Sequence, residues 1–185
     1  MIQMHKPKLL LHGCCGPCIT HPFQMLQDKY DVTIYFYNPN IHPKSEYERR
    51  LQAVKDLSQR WDFPLLVGPY DVEQWFKAVR RLENEPEGGK RCGVCYRFRM
   101  EKTAEVAAVK NFNLFGITLT VSPHKKADLI HTIGQACESR FGVSYLDVDF
   151  KKKDGFKISC LLSQKEGLYR QNYCGCVFSH PSKNL

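Results

Sequence analysis

Three groups of cysteines carry most of the chemistry this chain can offer: Cys14-Cys15-x-x-Cys18, Cys92-x-x-Cys95 and Cys174-x-Cys176. They hold seven of its nine cysteines and lie near the start, middle and end of 185 residues. A single Cys-x-x-Cys is a modest signal, shared by chelating turns and redox dithiols. Three such groups point to a fold that gathers thiolates around metal, and soft thiolates select zinc, copper(I) or iron–sulfur clusters. Seven sulfurs exceed the four that one zinc ion or one cubane cluster takes. The surplus implies either a second metal or catalytic cysteines beside the first.

The local settings agree with this chemistry. Cys14, Cys15 and Cys18 occupy a glycine-flanked turn at a helix N-terminus, a position that lowers thiol pKa. Cys92-Gly-Val-Cys95 has chelating spacing, and Gly175 permits a sharp backbone between Cys174 and Cys176. Cys137 falls in a helical stripe and Cys160 in a basic tail, so both read as structural. His42 and His124 lie in loops as ligands, proton donors or plain polar residues, the last being the reading for each taken singly. Glu46, Tyr47 and Arg49 open a helix, where an acidic first turn is ordinary capping chemistry. The run Lys151-Lys152-Lys153 reads as a solvated face that, beside a thiolate site, could hold phosphates as point charges.

These residues must be positioned by alternating strands and helices. Lys8-Leu9-Leu10-Leu11-His12 reads as a buried parallel strand, and Pro22 to Lys29 as a helix after it. Val32 to Tyr37, Pro64 to Val67, Phe115 to Thr120 and Ser144 to Val148 read as further strands. Helices are expected from Ser45 to Trp61, from Val72 to Leu82, from Cys95 to about Lys110 and from Asp128 to about Arg140. The tail from Lys151 reads as basic and glycine-interrupted. Such alternation demands crossover helices and a mostly parallel, Rossmann-like α/β sheet in one domain spanning 1–185. Ligands of open α/β sheets gather beyond the carboxyl ends of the strands. The loops at 13–18, 38–43 and 122–125 should therefore meet on one rim. The other two cysteine groups are expected in loops folding over it.

A net charge of +8 suits a polyanionic partner such as nucleic acid, and equally an ordinary solvated surface. No segment approaches the roughly 18 unbroken apolar residues of a membrane span. The opening Met1 to Lys6 lacks the apolar run of a secretory signal. A cytoplasmic setting is expected, where thiols stay reduced and serve metals or redox chemistry.

Six motifs in order resemble the cobalamin-independent epoxyqueuosine reductases, the QueH family. They are His12-Gly-Cys-Cys-Gly-Pro-Cys18, Phe36-Tyr-Asn-Pro-Asn-Ile-His-Pro43 with Glu46-Tyr47, and Arg91-Cys-Gly-Val-Cys-Tyr96. Thr118-Leu-Thr-Val-Ser-Pro-His-Lys125, Asp149-Phe-Lys-Lys-Lys153 and Tyr169-Arg-Gln-Asn-Tyr-Cys-Gly-Cys176 complete the set. The resemblance covers nearly everything from Leu9 to Ser179 and implies a fold similar to the nucleotide-binding HUP-type folds. It implies reductive removal of the epoxide oxygen of epoxyqueuosine at the tRNA wobble position, giving queuosine and water. It also implies a [4Fe–4S] cluster with an additional mononuclear iron, no cobalamin, and an electron donor. Carried onto this chain, the ligand pool is Cys14, Cys15, Cys18, Cys92, Cys95, Cys174 and Cys176. Tyr47, His42 and Glu46 become candidate proton donors, and Arg49, Lys125, Lys152 and Arg170 candidate tRNA contacts.

Two other readings fit parts of the pattern. An iron–sulfur tRNA-thiolating enzyme of similar fold would need ATP, yet Gly13-Cys14-Cys15-Gly16 stands where a serine- and glycine-rich phosphate loop belongs. A zinc-stabilised RNA-binding module would hold zinc and perform no reduction.

Overall fold

The computed structural model describes residues 5–179; residues 1–4 and 180–185, including most of the opening stretch read for a signal, lie outside the described residues. Five strands form one parallel sheet: β1 (Lys8–His12), β2 (Asp31–Phe36), β3 (Leu65–Val67), β4 (Leu114–Ile117) and β5 (Ser144–Tyr145). Their order is β3-β2-β1-β4-β5, with Leu10 opposite Thr33 on one side and Phe115 on the other. The expected α/β class and parallel sheet are therefore found. The order reverses between β1 and β4, and this is where such a sheet opens a crevice.

Six helices cover the sheet: α1 (Gly16–Leu26), α2 (Lys44–Trp61), α3 (Val72–Ala78), α4 (Lys90–Val109), α5 (Ala127–Phe141) and α6 (Gly155–Lys165). Side-chain alternation on β1 divides the core. Leu9 and Leu11 pack with Ile19, Phe23, Val54 and Leu57 of α1 and α2. Leu10 turns the other way, onto Met100, Ala104, Ile130 and Ile133 of α4 and α5. Each face of a parallel strand is buried, which explains why Leu9-Leu10-Leu11 reads as a continuous apolar run. None of the described helices is long and apolar enough to cross a membrane.

The structure moves several expected boundaries. Helix α1 begins at Gly16, before the expected Pro22, with one proline in its first turn and Pro22 inside it. Pro in the first turn suits a helix start, and burial of Ile19, Phe23 and Leu26 holds the rest despite Pro22. Strand β4 stops at Ile117, and Thr118–Val121 wind into a 3-10 turn. The tail from Lys151, read as basic and glycine-interrupted, contains α6. Its buried residues are Gly155, Ser159 and Ser163, four apart, so its packing face is small rather than apolar. Ser159 donates through Oγ to the Pro17 carbonyl at 2.6 Å, which pins α6 against the start of α1.

Candidate metal centre

The loops after β1, β2 and β4 do converge, around a cavity of about 640 Å³ lined by Cys14, Asn40, Ser122 and Lys125 among others. Cys18, Cys92, Cys95, Cys174 and Cys176 line the same cavity. Cys15, 1% exposed, lies just behind, and the sulfurs of Cys14, Cys15 and Cys18 are all within 4.8 Å of one another. The three sequence-distant groups thus share one site.

Each group is set by its backbone. Cys14 and Cys15 immediately precede α1 and Cys18 lies in its first turn, where unpaired N–H groups and the helix dipole favour negative charge. Cys92 and Cys95 are in the opening turns of α4, not in the expected loop, and spacing i, i+3 puts both on one face. Gly88, at φ +82°, turns its N–H onto the Cys92 sulfur at 3.2 Å. Gly175 has φ +99°, and a Cβ there would meet Ile41 at 2.9 Å and Arg50 at 3.0 Å. Only glycine fits between Cys174 and Cys176. Trp75 of α3, fully buried, shares one apolar cluster with Cys95 and Cys176.

Three arginines are buried around these thiols. Arg50, 1% exposed, donates to Glu46 Oε1 at 2.7 Å and to the carbonyls of Cys174 and Tyr173 at 3.2 and 3.1 Å. Arg91 caps the loop before α4 by donating to the carbonyls of Leu82, Glu83 and Glu85. Arg99 donates to the Cys95 carbonyl at 3.3 Å and to Asn38 Oδ1 at 3.4 Å. Burial works against the Arg99 charge, but Cys95, Cys14, Tyr96 and Cys174 outweigh it, and it stays protonated. No carboxylate is among these partners of Arg99 within the described residues. A buried guanidinium without a carboxylate calls for another anion, and thiolates are the groups at hand.

The thiols respond unequally. Hydrogen bonds from Cys15 and Cys18 hold Cys14 well below the usual thiol range, with Arg99 and His12 adding to the effect. Burial pushes Cys15 up to about 12, and hydrogen bonding to Cys14 raises Cys18. In the last group the Cys176 thiol lowers Cys174 to about 6, and Cys176 itself is raised. Lys125 remains an ammonium: burial opposes its charge, while Tyr96, Cys174 and Glu87 favour it.

The remaining candidates divide sharply. Lys125 and Arg170 line the cavity, as does His124. His42, Glu46 and Tyr47 do not. The His42 ring packs 5.3 Å from Trp75 and 5.0 Å from Phe76, with both ring nitrogens lacking a hydrogen-bond partner among the described residues. Glu46 is held by Arg50 and by the Tyr169 hydroxyl at 2.9 Å. Tyr47, 6% exposed, packs between Phe36 and Tyr70. Arg49 lies 3.8 Å over the Tyr169 ring and is exposed, as is Lys152.

Sequence reasoning missed four groups here. Arg50, Arg91 and Arg99 are only part of the net positive charge as far as the sequence shows; the available signal is Arg99 four residues after Cys95, on the same helical face. Cys160, read as structural, lines the cavity with Arg170 Nη2 3.1 Å from its sulfur.

Arg50→Ala is expected to destabilise the protein by about 3–5 kcal/mol, because Glu46, whose side chain is 10% exposed, would lose its guanidinium partner. Denaturant unfolding measures this, and alkylation of Cys174 and Cys176 should accelerate in the variant. Unchanged stability would show that Arg50 does not hold the last segment.

Seven thiols, two helix starts and buried cations fit a soft-metal or cluster site better than a phosphate-binding one. Fold and site together define a parallel α/β protein with a thiol-lined cavity beyond the carboxyl ends of its strands. The family model described as Epoxyqueuosine reductase QueH matches residues 9–182. The epoxyqueuosine reductase QueH of Streptococcus pyogenes is 38% identical over 94% of this chain and 71% of its own length. That of Staphylococcus epidermidis is 40% identical over 94% and 76%, and that of Thermotoga maritima 38% over 92% and 89%. The chain belongs to the epoxyqueuosine reductase QueH family and is an oxidoreductase of queuosine biosynthesis, a tRNA-processing route.

Among solved structures, the U34-tRNA thiolase NcsA of Methanococcus maripaludis, determined with its [4Fe–4S] cluster, matches at TM-score 0.60 and 11% identity. The match covers 98% of this chain and 64% of that one. A predicted tRNA methyltransferase subunit from Methanocaldococcus jannaschii matches at TM-score 0.57 and 14% identity, over 83% and 76% of the two chains. At these identities the likeness is one of fold.

Proposed function

We propose that this chain removes the epoxide oxygen of epoxyqueuosine at the wobble position of tRNA, as one domain over residues 1–185, in the cytoplasm and without cobalamin. The observation that carries the reading is the meeting of all three cysteine groups at one cavity of about 640 Å³, within the range of small-ligand pockets. Deoxygenation consumes two electrons and two protons, breaks both carbon–oxygen bonds and releases alkene and water. An external electron donor supplies the electrons.

Four of the seven sulfurs suit a [4Fe–4S] cluster and up to three suit an additional iron, which when bound would supply one-electron transfer and Lewis-acid polarisation of the epoxide oxygen. The protein holds those sulfurs beside Arg99, orders the last pair through Arg50, and admits the base through the remaining wall. Lys125 and Arg170 meet the backbone phosphates at the cavity, with Arg49 and Lys152 farther out. A splayed, unstacked base suits such a pocket. Direct proton delivery from His42, Glu46 or Tyr47 would need them at the wall, where they are not. His124 lines the cavity and is exposed, so the reading assigns it the proton in their place.

Anaerobic purification with iron, zinc and sulfide analysis, followed by an assay on epoxyqueuosine-bearing tRNA, tests this. About five irons and four sulfides per chain, with ATP-independent turnover, are expected. Zinc without sulfide after reconstitution would replace the reading with a zinc-stabilised RNA-binding module. A strict requirement for ATP would favour thiolation.

A further inference from the structure

Gln171 lines the thiol cavity, and its Nε2 lies 2.9 Å from the Cys15 sulfur. A metal-bound thiolate accepts hydrogen bonds and donates none, so the carboxamide must present its N–H end to Cys15 and its oxygen elsewhere. That oxygen is buried and has no hydrogen-bond partner among the described residues. Asn40, 3% exposed, lines the same cavity, and its Oδ1 is likewise buried without a partner among them. A buried acceptor left unsatisfied carries its full desolvation cost. Two on one cavity call for an explanation, and a ligand that completes them is one.

An acceptor pair selects hydrogen-bond donors. An epoxide oxygen only accepts, so it is repelled by such a wall and turns to the part of the cavity holding the cysteines and Lys125. Resting on the epoxyqueuosine reading above, we infer that the Gln171 and Asn40 carboxamide oxygens bind hydroxyl or amino hydrogens of the modified base and so orient its epoxide away from themselves. They are specificity residues. Gln171 also links the base to the metal side, because its other end donates to Cys15.

The test uses metal-loaded protein and two tRNAs, one bearing epoxyqueuosine and one bearing guanine at the same position. Gln171 is partly exposed, so Gln171→Leu should fold. Its affinity for the epoxyqueuosine tRNA is expected to fall roughly tenfold, the loss of one buried hydrogen bond, with affinity for the guanine tRNA unchanged. Iron and sulfide should stay at wild-type levels while the reduction potential becomes more negative, since a donor to a ligating sulfur is gone. Asn40→Ser keeps a polar side chain in the loop and is expected to lose discrimination in the same way, with no change of potential. Discrimination that survives both substitutions, or equal weakening for both tRNAs, overturns this inference alone. A wild-type protein that binds the two tRNAs equally and reduces neither overturns the epoxyqueuosine reading, and this one with it.

Discussion

Cys92→Ala is expected to cut turnover on epoxyqueuosine tRNA by more than about 100-fold, beyond the 10–100-fold typical of groups that only support metal ligands. Cys92 is 8% exposed, faces the cavity with Cys95 and accepts the Gly88 N–H. Alanine is an excellent helix former, so α4 should persist and far-UV circular dichroism should not change. Visible absorbance and iron content should fall together with activity. Lost turnover at full iron content would make Cys92 a reacting thiol instead of a ligand. Normal turnover would remove it from the site altogether.

Arg99→Met separates charge from packing. Methionine fills much of the arginine stem's space without the guanidinium, which is 4% exposed and has thiols as its principal electrostatic partners. With metal bound, the ligand set is anionic and loses its buried counter-charge, so release to a chelator should quicken by roughly 10–100-fold. Without metal, only Cys14 and Cys174 among the thiols facing Arg99 are lowered and Cys95 is raised, so the buried cation is only partly compensated. The metal-free variant should therefore unfold at the same or higher denaturant concentration than the metal-free wild type. A variant destabilised by several kcal/mol in both states, with unaltered metal release, would mark Arg99 as a packing residue only.

Much of this arrangement is written in residue types. The β-branched and leucine runs announce β1 and β2 because both faces of a parallel strand are buried. The cysteine groups announce a shared centre because their spacing has few other uses. What stays hidden has physical causes. Helix α6 buries Gly155, Ser159 and Ser163, so it lacks the apolar stripe by which amphipathic helices are recognised. Arg50, Arg91 and Arg99 look like surface charge because sequence does not reveal which arginines have buried anionic neighbours. Glu46 and Tyr47 lie in a stretch that resembles the family, and in the structure Glu46 holds Arg50 while Tyr47 packs against Phe36 and Tyr70. Pro22 shows the converse error, a local breaker overruled by the burial of its neighbours.

The cysteines gathered at the cavity run from Cys14 to Cys176, and the last pair is tied down when Arg50 donates to the carbonyls of Tyr173 and Cys174. At about 5–20 residues per second, the first thiols leave the ribosome's active site on the order of ten seconds or more before the last are made. During that interval a nascent chain can offer a partial chelate but no closed cavity. On the reading proposed above, complete metal loading is therefore expected late in the life of the molecule, and a shortened product ending before α6 would keep five of the seven cysteines without the pair that completes the cavity.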